Sequence, residues 1–389
     1  MSLRWPQDLR ALLFYNAGII PQALQGVPEP ATGLLLHGVL GPMNPIAPSS
    51  TAAAAAAAPA APDYRWTVAA QDFAALGAGP VRARLDDHSV LEFDGPDAVS
   101  FLQGQTTIDI AALGETDWQL GGYCTPKGRL LAIFQAWRYA TGVRLLVPTA
   151  LAAGLQRRLT QYVLRAKVQI RDVSHDWQVL GLCGKGAAAA LAQAGCTPPE
   201  QAWQCLALDG GERLARLTAG PQAGERLVLL MRQERAARWG QALTALPLVG
   251  TGLWWWSQID AALPAIVPQT QERFVPQALN LEVLGGVNFR KGCYPGQEIV
   301  ARSQYLGKLR RRMAAAHAPA LGSDADIHAD GQAEAVGRIV LAATAPEGGW
   351  DLLFECPTEM AAAALHAGGA DAPVLQRRSL PYELFDPTA

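Results

Sequence analysis

Residues 274–302 read FVPQALNLEVLGGVNFRKGCYPGQEIVAR, and this stretch decides the fold. Its glycines supply free backbone dihedrals without side-chain bulk, which a chain needs where a flat ligand approaches closely. Cys293 stands between Lys291 and a Pro-Gly turn, so nearby positive charge favours its thiolate and makes it the candidate reactive residue. A helix is predicted to begin at Gln297 and Glu298.

Spacing alone leaves two interpretations of this stretch open. In one, Glu298 accepts two parallel N–H bonds from the edge of a pterin, while Lys291 and Arg302 meet the glutamate tail of a folate. In the other, the stretch is a tight turn with a capping glutamate. Residues 290–312 hold seven basic residues and one acidic residue, a local charge of +6. This patch suits tRNA phosphates, folate polyglutamate or an acidic partner, or is only a solvated linker.

A second cluster places polar side chains beside glycines twice. Residues 101–109 read FLQGQTTID and residues 121–131 read GGYCTPKGRLL, with Gln105, Lys127 and Arg129 as candidate ligand contacts. This cluster is consistent with two interpretations, the rim of a ligand site and an ordinary turn.

Three consecutive tryptophans, Trp254 to Trp256, form the third cluster. Indole faces suit stacking against a pterin, whereas a tryptophan run in a strand is typical of core packing. We expect one of the three to contact a ligand.

Composition limits the class of protein. The 389 residues are 50% hydrophobic, which predicts two or three domains, and the net charge of -2 gives no global reason to expect a nucleic-acid or membrane surface. The six cysteines lack metal-ligand spacing, and the six histidines are scattered, so neither a metal site nor a disulfide framework is expected. Reduced thiols and the lack of an 18-residue apolar run predict a cytoplasmic protein.

The chain divides by composition into four parts. Residues 1–62 contain an Ala/Pro tract and are predicted to be a disordered extension. Met43 precedes that tract, so a further hypothesis is that translation starts there, which mass spectrometry of the native N-terminus tests. The other parts are an α+β domain at 63–170 completed by 250–310, a second α+β domain at 171–249 and a small β-barrel at 311–389.

Local patterns predict several elements. Residues 84–93 (RLDDHSVLEF) read as one strand, after which Asp97 caps a helix. Residues 120–147 contain two strands around a turn, and residues 150–166 have a helical period.

The octad KGCYPGQE at 291–298 resembles the K-G-C-Y-x-G-Q-E signature of the YgfZ family, folate-binding proteins similar in fold to the glycine-cleavage T-protein. FLQGQTTID and GGYCTPKGR resemble further segments of that family, so the resemblance covers residues 80–385. It implies an α+β, three-domain cloverleaf around a central folate funnel, with a C-terminal β-barrel.

The resemblance also implies a ligand and a role. The ligand is tetrahydrofolate or a one-carbon derivative, and the role is maintenance of iron–sulfur enzymes, including those that modify tRNA. Partners would be iron–sulfur assembly proteins or client enzymes. The residues carried over by position as lining or supporting the funnel are Lys291, Cys293, Tyr294, Gln297 and Glu298. Trp254 falls where the family places a folate-contacting tryptophan, and His88 where a folate-facing aromatic can stand.

One departure concerns catalysis. T-proteins carry an acidic pair shortly after the hairpin glycines, where this chain, aligned by eye, has Ala132 and Ile133. Loss of a general base removes about 10²- to 10⁴-fold in rate. The expectation is therefore a folate-binding accessory protein rather than a true aminomethyltransferase, with a folate-dependent one-carbon transferase and an RNA- or protein-binding scaffold as alternatives.

Overall fold

The computed structural model describes residues 64–305, 309–332 and 334–384. The extension predicted for residues 1–62, and with it Met43, lies outside these ranges. The strands are β1 (Arg65–Trp66), β2 (Val81–Arg84), β3 (His88–Asp94), β4 (Trp118–Cys124), β5 (Leu130–Tyr139), β6 (Gly142–Pro148), β7 (Gln169–Asp172), β8 (Trp177–Cys183), β9 (Cys205–Ala207), β10 (Arg213–Gly220), β11 (Gly224–Arg232), β12 (Leu248–Val249), β13 (Arg311–Ala318), β14 (Asp326–Ala329), β15 (Gly337–Thr344), β16 (Trp350–Pro357), β17 (Leu365–Ala367) and β18 (Gln376–Arg378). The α-helices are α1 (Ala70–Ala78), α2 (Ala98–Gln103), α3 (Thr149–Thr160), α4 (Ala187–Gln193), α5 (Ala236–Ala242), α6 (Thr251–Asp260) and α7 (Gln297–Tyr305).

The strands form three sheets. The first sheet has the order β4-β5-β6-β3-β7 and is antiparallel throughout. The second has the order β12-β2-β8-β11-β10-β9, in which only the β12–β2 pair is parallel. The third has the order β17-β14-β15-β16-β13-β18, and β1 pairs with β15 in parallel.

The first sheet is covered on both faces, as its near-continuous apolar strands require. Every residue of β6 is buried, as are most residues of β3 and β5. Helix α3 packs against this sheet through Leu151, Leu155 and Leu159, which recur at helical spacing and are all buried. The hairpin of β4 and β5 thereby has one side against α3.

Helix α6 joins the second and third sheets. It contacts β2, β8 and β10 of the second sheet and β15 and β16 of the third. A helix packed on several sides must be apolar around its circumference, which explains why residues 253–260 are all buried.

The tryptophan run is helical, so the interpretation of a strand at these positions was wrong. The predicted strand at residues 84–93 is confirmed for residues 88–93, which belong to β3, but it does not extend back to Arg84, because the chain turns between β2 and β3. His88 N donates to Leu85 O within this turn, and Leu85 N donates to Val179 O of β8, the strand that pairs with β2. Two adjacent aspartates favour the turn over a continuous strand.

Two further local predictions need correction. Residues 120–147 form three strands, β4, β5 and β6, because a second turn follows Tyr139. Helix α2 begins after Asp97 as predicted, but the Asp97 carboxylate accepts a hydrogen bond from Lys167 N instead of capping the helix. In the described part of the chain, no helix is long and apolar enough to cross a membrane.

Candidate functional site

The signature loop, defined as residues 285–296, is folded by its own polar side chains before it meets helix α7. Asn288 Oδ1 accepts hydrogen bonds from Arg290 N at 2.7 Å and Lys291 N at 3.0 Å. This local pattern is an Asx-type turn, which Asn favours. Helix α7 then begins at Gln297, as predicted.

Thr107 connects the signature loop to the first sheet through hydrogen bonds. Its hydroxyl donates to Gly286 O at 2.6 Å and accepts from Gly122 N at 2.8 Å. Thr107 O also accepts from Asn288 N at 2.8 Å. The segment FLQGQTTID is therefore sandwiched between the signature loop and strand β4, which brings two of the predicted clusters into one place.

Lys291 is a buried anchor. Its side chain is 8% exposed, and its ammonium donates to the main-chain oxygens of Gln103 and Thr106. Burial lowers the pKa of Lys291 to about 8, and attraction to Asp109 and Cys293 partly opposes that decrease. Because its donors are engaged by the backbone, this lysine holds residues 103–106 in place.

Two glycines bring the hairpin turn and the signature loop into contact. Gly296 has φ of +82°, and a Cβ there would lie 2.4 Å from Thr125 O and 2.6 Å from Gly128 N. Gly128 in turn has φ of +70° and lies beneath Ile299 of helix α7. Only glycine combines this conformation with so close a backbone approach, which explains both residues.

The lead-in to the signature is structural, a role that the sequence analysis did not assign. Gln277 Nε2 donates to Val300 O at 2.6 Å, and Asn280 Nδ2 donates to Met313 O at 2.9 Å. Both side chains are buried. These two hydrogen bonds connect helix α7 and strand β13 to the segment before the loop. The only indication of this role in the sequence is that a Gln and an Asn stand among apolar residues.

The exposed groups of the site are Cys293, Glu298 and Arg302, and Gln297 is half-buried. The other five cysteines are buried, and burial raises the pKa of each, for example to about 12 for Cys124. Cys293 is therefore the thiol that a partner or reagent can reach.

Several polar atoms at the site are buried without a hydrogen-bond partner among the described residues, including Tyr294 Oη, Gln105 Oε1 and Gln277 Oε1. Burial, with a smaller contribution from Cys124, raises the pKa of Tyr294, and the Lys291 ammonium lies 5.0 Å from its ring centre. Most buried polar atoms in proteins are satisfied, so each exception needs an explanation, and a bound molecule is one.

Lys127 and Arg129 flank the hairpin turn, and both are exposed. Arg129 donates to Arg273 O at 2.7 Å, which links the turn to the segment that precedes the signature. Lys127 lies at the tip of the turn. The structure thus brings the turn to the site, with one of its two cations engaged by the backbone.

The aromatic residues predicted to contact a ligand are packed in the interior. Trp254 is 2% exposed, lies against Gly181 and has the Arg226 guanidinium 4.5 Å from its ring centre. The His88 side chain is 5% exposed, bonds Asp87 at 2.8 Å and stacks on Trp255 at 5.3 Å. Their assignment as ligand contacts remains a prediction.

The basic residues of 290–312 are dispersed. Lys291 is buried, Arg311 pairs with Glu355, and Arg312 pairs with the buried Glu282. Lys308 lies outside the described ranges. Among the described residues of this segment, the exposed cations are Arg290, Arg302, Arg310 and Arg311, and the last of these is the one paired with Glu355.

A cleft that the sequence analysis missed lies between helix α3 and the hairpin of β4 and β5. It encloses about 360 Å³ and is lined by Tyr123, Leu131, Gly154, Leu155, Arg157, Arg158, Gln161 and Gln271. In the sequence, this cleft was indicated only by the basic character of residues 157–167 (RRLTQYVLRAK), which include four basic residues and no acidic one. Within the described ranges, no cluster of His, Cys, Asp and Glu could hold a metal ion.

Comparison with solved structures identifies the fold. The aminomethyltransferase T of the glycine cleavage system from Bartonella henselae superposes with a TM-score of 0.67, covering 80% of this chain and 88% of that one at 16% identity. At this identity the likeness shows a shared fold only. The expectation of a mixed α and β fold of the T-protein kind is confirmed at that level.

Sequence comparison identifies the family. No protein-family model matches the sequence. The chain is 30% identical over 308 residues to the tRNA-modifying protein YgfZ of Klebsiella pneumoniae (strain 342), covering 78% of this chain and 93% of that protein. The YgfZ of Enterobacter sp. (strain 638) is 31% identical over 307 residues, covering 77% of this chain and 92% of its own length. The resemblance predicted from residues 291–298 is confirmed, and the chain belongs to the YgfZ family.

Proposed function

We propose that this chain is a tetrahydrofolate-binding accessory protein for iron–sulfur cluster assembly or repair, and that it indirectly supports tRNA modification. One arrangement supports the proposal above the others. The signature loop is locked to the first sheet by Lys291, Thr107 and Gly296, yet Cys293 and Glu298 stay exposed. A rigid loop that presents a thiol and a carboxylate suits a binding site better than a turn does.

The finer architecture is part of the proposal. The chain would form three domains arranged as a cloverleaf around a central folate funnel, with the last domain a small β-barrel. The fold likeness to an aminomethyltransferase supports this arrangement. So does the division of the strands into three sheets, of which the third contains the strands from β13 to β18.

The residues at the site fit a tetrahydrofolate chemically. A pterin edge offers N–H donors, for which the Glu298 carboxylate and Gln105 Oε1 are acceptors, and the Tyr294 hydroxyl can donate in return. When bound, tetrahydrofolate supplies a carrier for a one-carbon unit. Lys291 contributes by fixing residues 103–106, and with them Gln105, beside the loop.

The proposed role of an accessory protein rests on the missing acidic pair in the hairpin of β4 and β5. Ala132 and Ile133 are 1% and 4% exposed, so the position where T-proteins carry an acidic pair is apolar here. Without a carboxylate there, the chain has no general base at that position for aminomethyl transfer. We therefore assign Cys293 the chemical role, toward assembly proteins or client iron–sulfur enzymes in the cytoplasm.

Calorimetry with the full-length protein tests the binding site. We expect micromolar affinity for tetrahydrofolate, and Glu298→Ala should weaken it about tenfold or more, because hydrogen bonds to a charged group contribute about 1.5–3 kcal/mol. Glu234→Ala, at an exposed glutamate next to α5, is the control and should bind as the wild type does. Absence of binding by the folded wild-type protein would overturn the proposal.

A further inference from the structure

The α3 turn, defined as residues 161–167, exposes two large apolar side chains between the end of helix α3 and strand β7. Tyr162 is 43% exposed and Leu164 is 88% exposed. Single exposed apolar residues are common on protein surfaces and need no explanation. Two of them on one short turn form a small apolar patch, which is a feature of surfaces that bind other molecules.

The backbone of the α3 turn is strained at Leu164. Ala166 N donates to Val163 O at 2.7 Å, which closes a β-turn whose first central residue is Leu164. Leu164 has φ of +38°, whereas turns with a positive φ at this position prefer Gly or Asn. This leucine therefore has an unfavourable backbone conformation and also leaves its side chain in water. Folding does not explain such a residue, but a contact with another molecule does.

The residues around Leu164 hold the α3 turn in place. Val163 and Ala166 pack against the main hydrophobic core. Lys167 N donates to Asp97 Oδ2 at 2.7 Å, and Asp97 N donates to Lys167 O at 3.3 Å. Because the turn is held on both sides of Leu164, this side chain is presented at a fixed position. A contact that is ordered beforehand loses less conformational entropy on binding.

Positive charge accompanies the apolar patch. Arg157, Arg165 and Lys167 are exposed, and among the residues that the structure describes no carboxylate lies within ion-pair distance of their side chains. Residues 157–167 contain no acidic residue at all. The cations of the α3 turn are therefore available to a binding partner.

This combination of groups favours a protein partner with an acidic surface. Protein interfaces have an apolar centre within a polar rim, and complementary charge directs which partner docks. Leu164 is the most exposed apolar residue of the patch and is aliphatic, whereas single-stranded nucleic acid is held on aromatic faces. A fitting partner has an apolar pocket for Leu164 and carboxylates for Arg165 and Lys167.

We infer that the α3 turn is a docking surface for a protein that offers an apolar pocket surrounded by carboxylates. The inference rests on the proposed function for the identity of this protein, which is an iron–sulfur assembly protein or a client iron–sulfur enzyme. It places the partner contact on the turn after α3 and not on residues 290–312.

Two substitutions in the full-length protein test the docking surface. Leu164→Asn removes the apolar group but suits a positive φ, so the purified variant should melt at the wild-type temperature or above it, with unchanged affinity for tetrahydrofolate. In cells that lack the protein, Leu164→Asn and Arg165→Glu should each lower iron–sulfur-dependent tRNA modification by about tenfold, as loss of one important interface contact lowers affinity. Leu248→Asn, at a leucine 58% exposed on β12, is the control and should restore modification fully.

A photo-crosslinker identifies the partner. Leu164→p-benzoylphenylalanine should form an adduct in cells with an iron–sulfur assembly or client protein, at a peptide that contains carboxylates. The same replacement at Leu248 should not form this adduct. Lysine in place of those carboxylates should restore the function of Arg165→Glu, because the exchange of charges re-forms the attraction across the interface.

Four results would overturn the inference. Full complementation by Leu164→Asn would remove Leu164 from any docking role, and a marked loss of its thermal stability would make the role structural. Salt-sensitive binding of total tRNA that both variants weaken would assign the turn to RNA. Binding to vesicles of phosphatidylcholine and phosphatidylglycerol in equal amounts, weakened in the same way, would assign it to a membrane. An adduct between two copies of this chain would assign it to self-association.

The two proposals fail separately. Each of those results leaves tetrahydrofolate binding by the wild type, and with it the proposed function, unchanged. Absence of folate binding by the folded wild-type protein overturns the proposed function, whereas the adduct and its rescue by charge exchange still decide whether the α3 turn docks a protein.

Discussion

The signature loop and helix α6 both contain residue types that suit ligand binding, but the loop exposes such a residue whereas α6 buries its tryptophans. The indole nitrogens of Trp255 and Trp256 in α6 donate to Asp87 and Asp351, at 2.6 and 2.8 Å, and the rings are buried. The signature loop buries its lysine and keeps Cys293 exposed. Chemical suitability for a ligand therefore does not establish that a group is available to one.

The difference has an energetic reason. A tryptophan contributes a large apolar area and a single donor, so burying it with that donor satisfied stabilises a junction between sheets. A small exposed thiol contributes little to packing, so its exposed position indicates a chemical role rather than a structural one. Four experiments test this contrast, and they are ordered from the largest expected effect to the smallest.

Replacement of Trp254 should produce the largest effect, on stability. Trp254→Ala removes a fully packed ring from beside Gly181 and uncovers Arg226, so we expect a loss of about 3–5 kcal/mol in the free energy of unfolding. Urea denaturation measures it. Tyr162→Ala, at an aromatic residue 43% exposed, should change stability by less than about 0.5 kcal/mol. A folded, stable Trp254→Ala protein with weakened folate binding would show that α6 belongs to the site.

Gly296→Ala should separate the loop from the hairpin. A positive φ and overpacking against Thr125 O together predict a loss of about 2–5 kcal/mol in stability. Gly292 has open space around it, so Gly292→Ala is a matched control that should be close to neutral. Equal stability of the two variants in thermal or urea unfolding would mean that the loop is not locked.

Lys291 provides a pH test of the buried anchor. Burial lowers its folded-state pKa to about 8 from the ordinary value of 10.5, so the unfolded chain binds this proton more tightly between the two values. Stability from this residue should therefore rise between pH 8 and 10.5, by on the order of 3 kcal/mol.

Urea unfolding of the wild type against Lys291→Met measures this dependence. The difference between the two proteins should grow over that pH range, whereas the difference from Lys127→Met, at an exposed lysine, should stay constant. An NMR titration that places the Lys291 amine above pH 10 would contradict the assignment of a desolvated anchor.

Cys293→Ala should have the smallest effect on the purified protein. The residue is exposed, so stability should change by less than about 0.5 kcal/mol and folate affinity should be unchanged. In cells that lack the protein, the variant should fail to restore iron–sulfur-dependent tRNA modification, whereas Gly292→Ala should restore it. Full complementation by Cys293→Ala would remove the thiol from the proposed function.

Local patterns predicted where two helices begin. The start of α7 at Gln297 and the start of α2 after Asp97 follow from neighbouring residues, and both are confirmed. The break between β2 and β3 was missed because the backbone partner that holds the turn, Val179 O, lies on strand β8, which pairs with β2 and is remote in sequence. The α3 cleft was missed for the same reason, since Tyr123, Arg158 and Gln271 are distant in sequence.

The sequence by itself determined the family and the identity of the exposed thiol's neighbours, because eight consecutive residues at 291–298 carry that information. Only the tertiary structure decided which of those groups are free. Lys291 meets the carbonyls of residues 103 and 106, Arg312 meets Glu282, and Gly296 meets the turn at Gly128. Burial and pairing depend on residues that are remote in the chain, so no local pattern can state them.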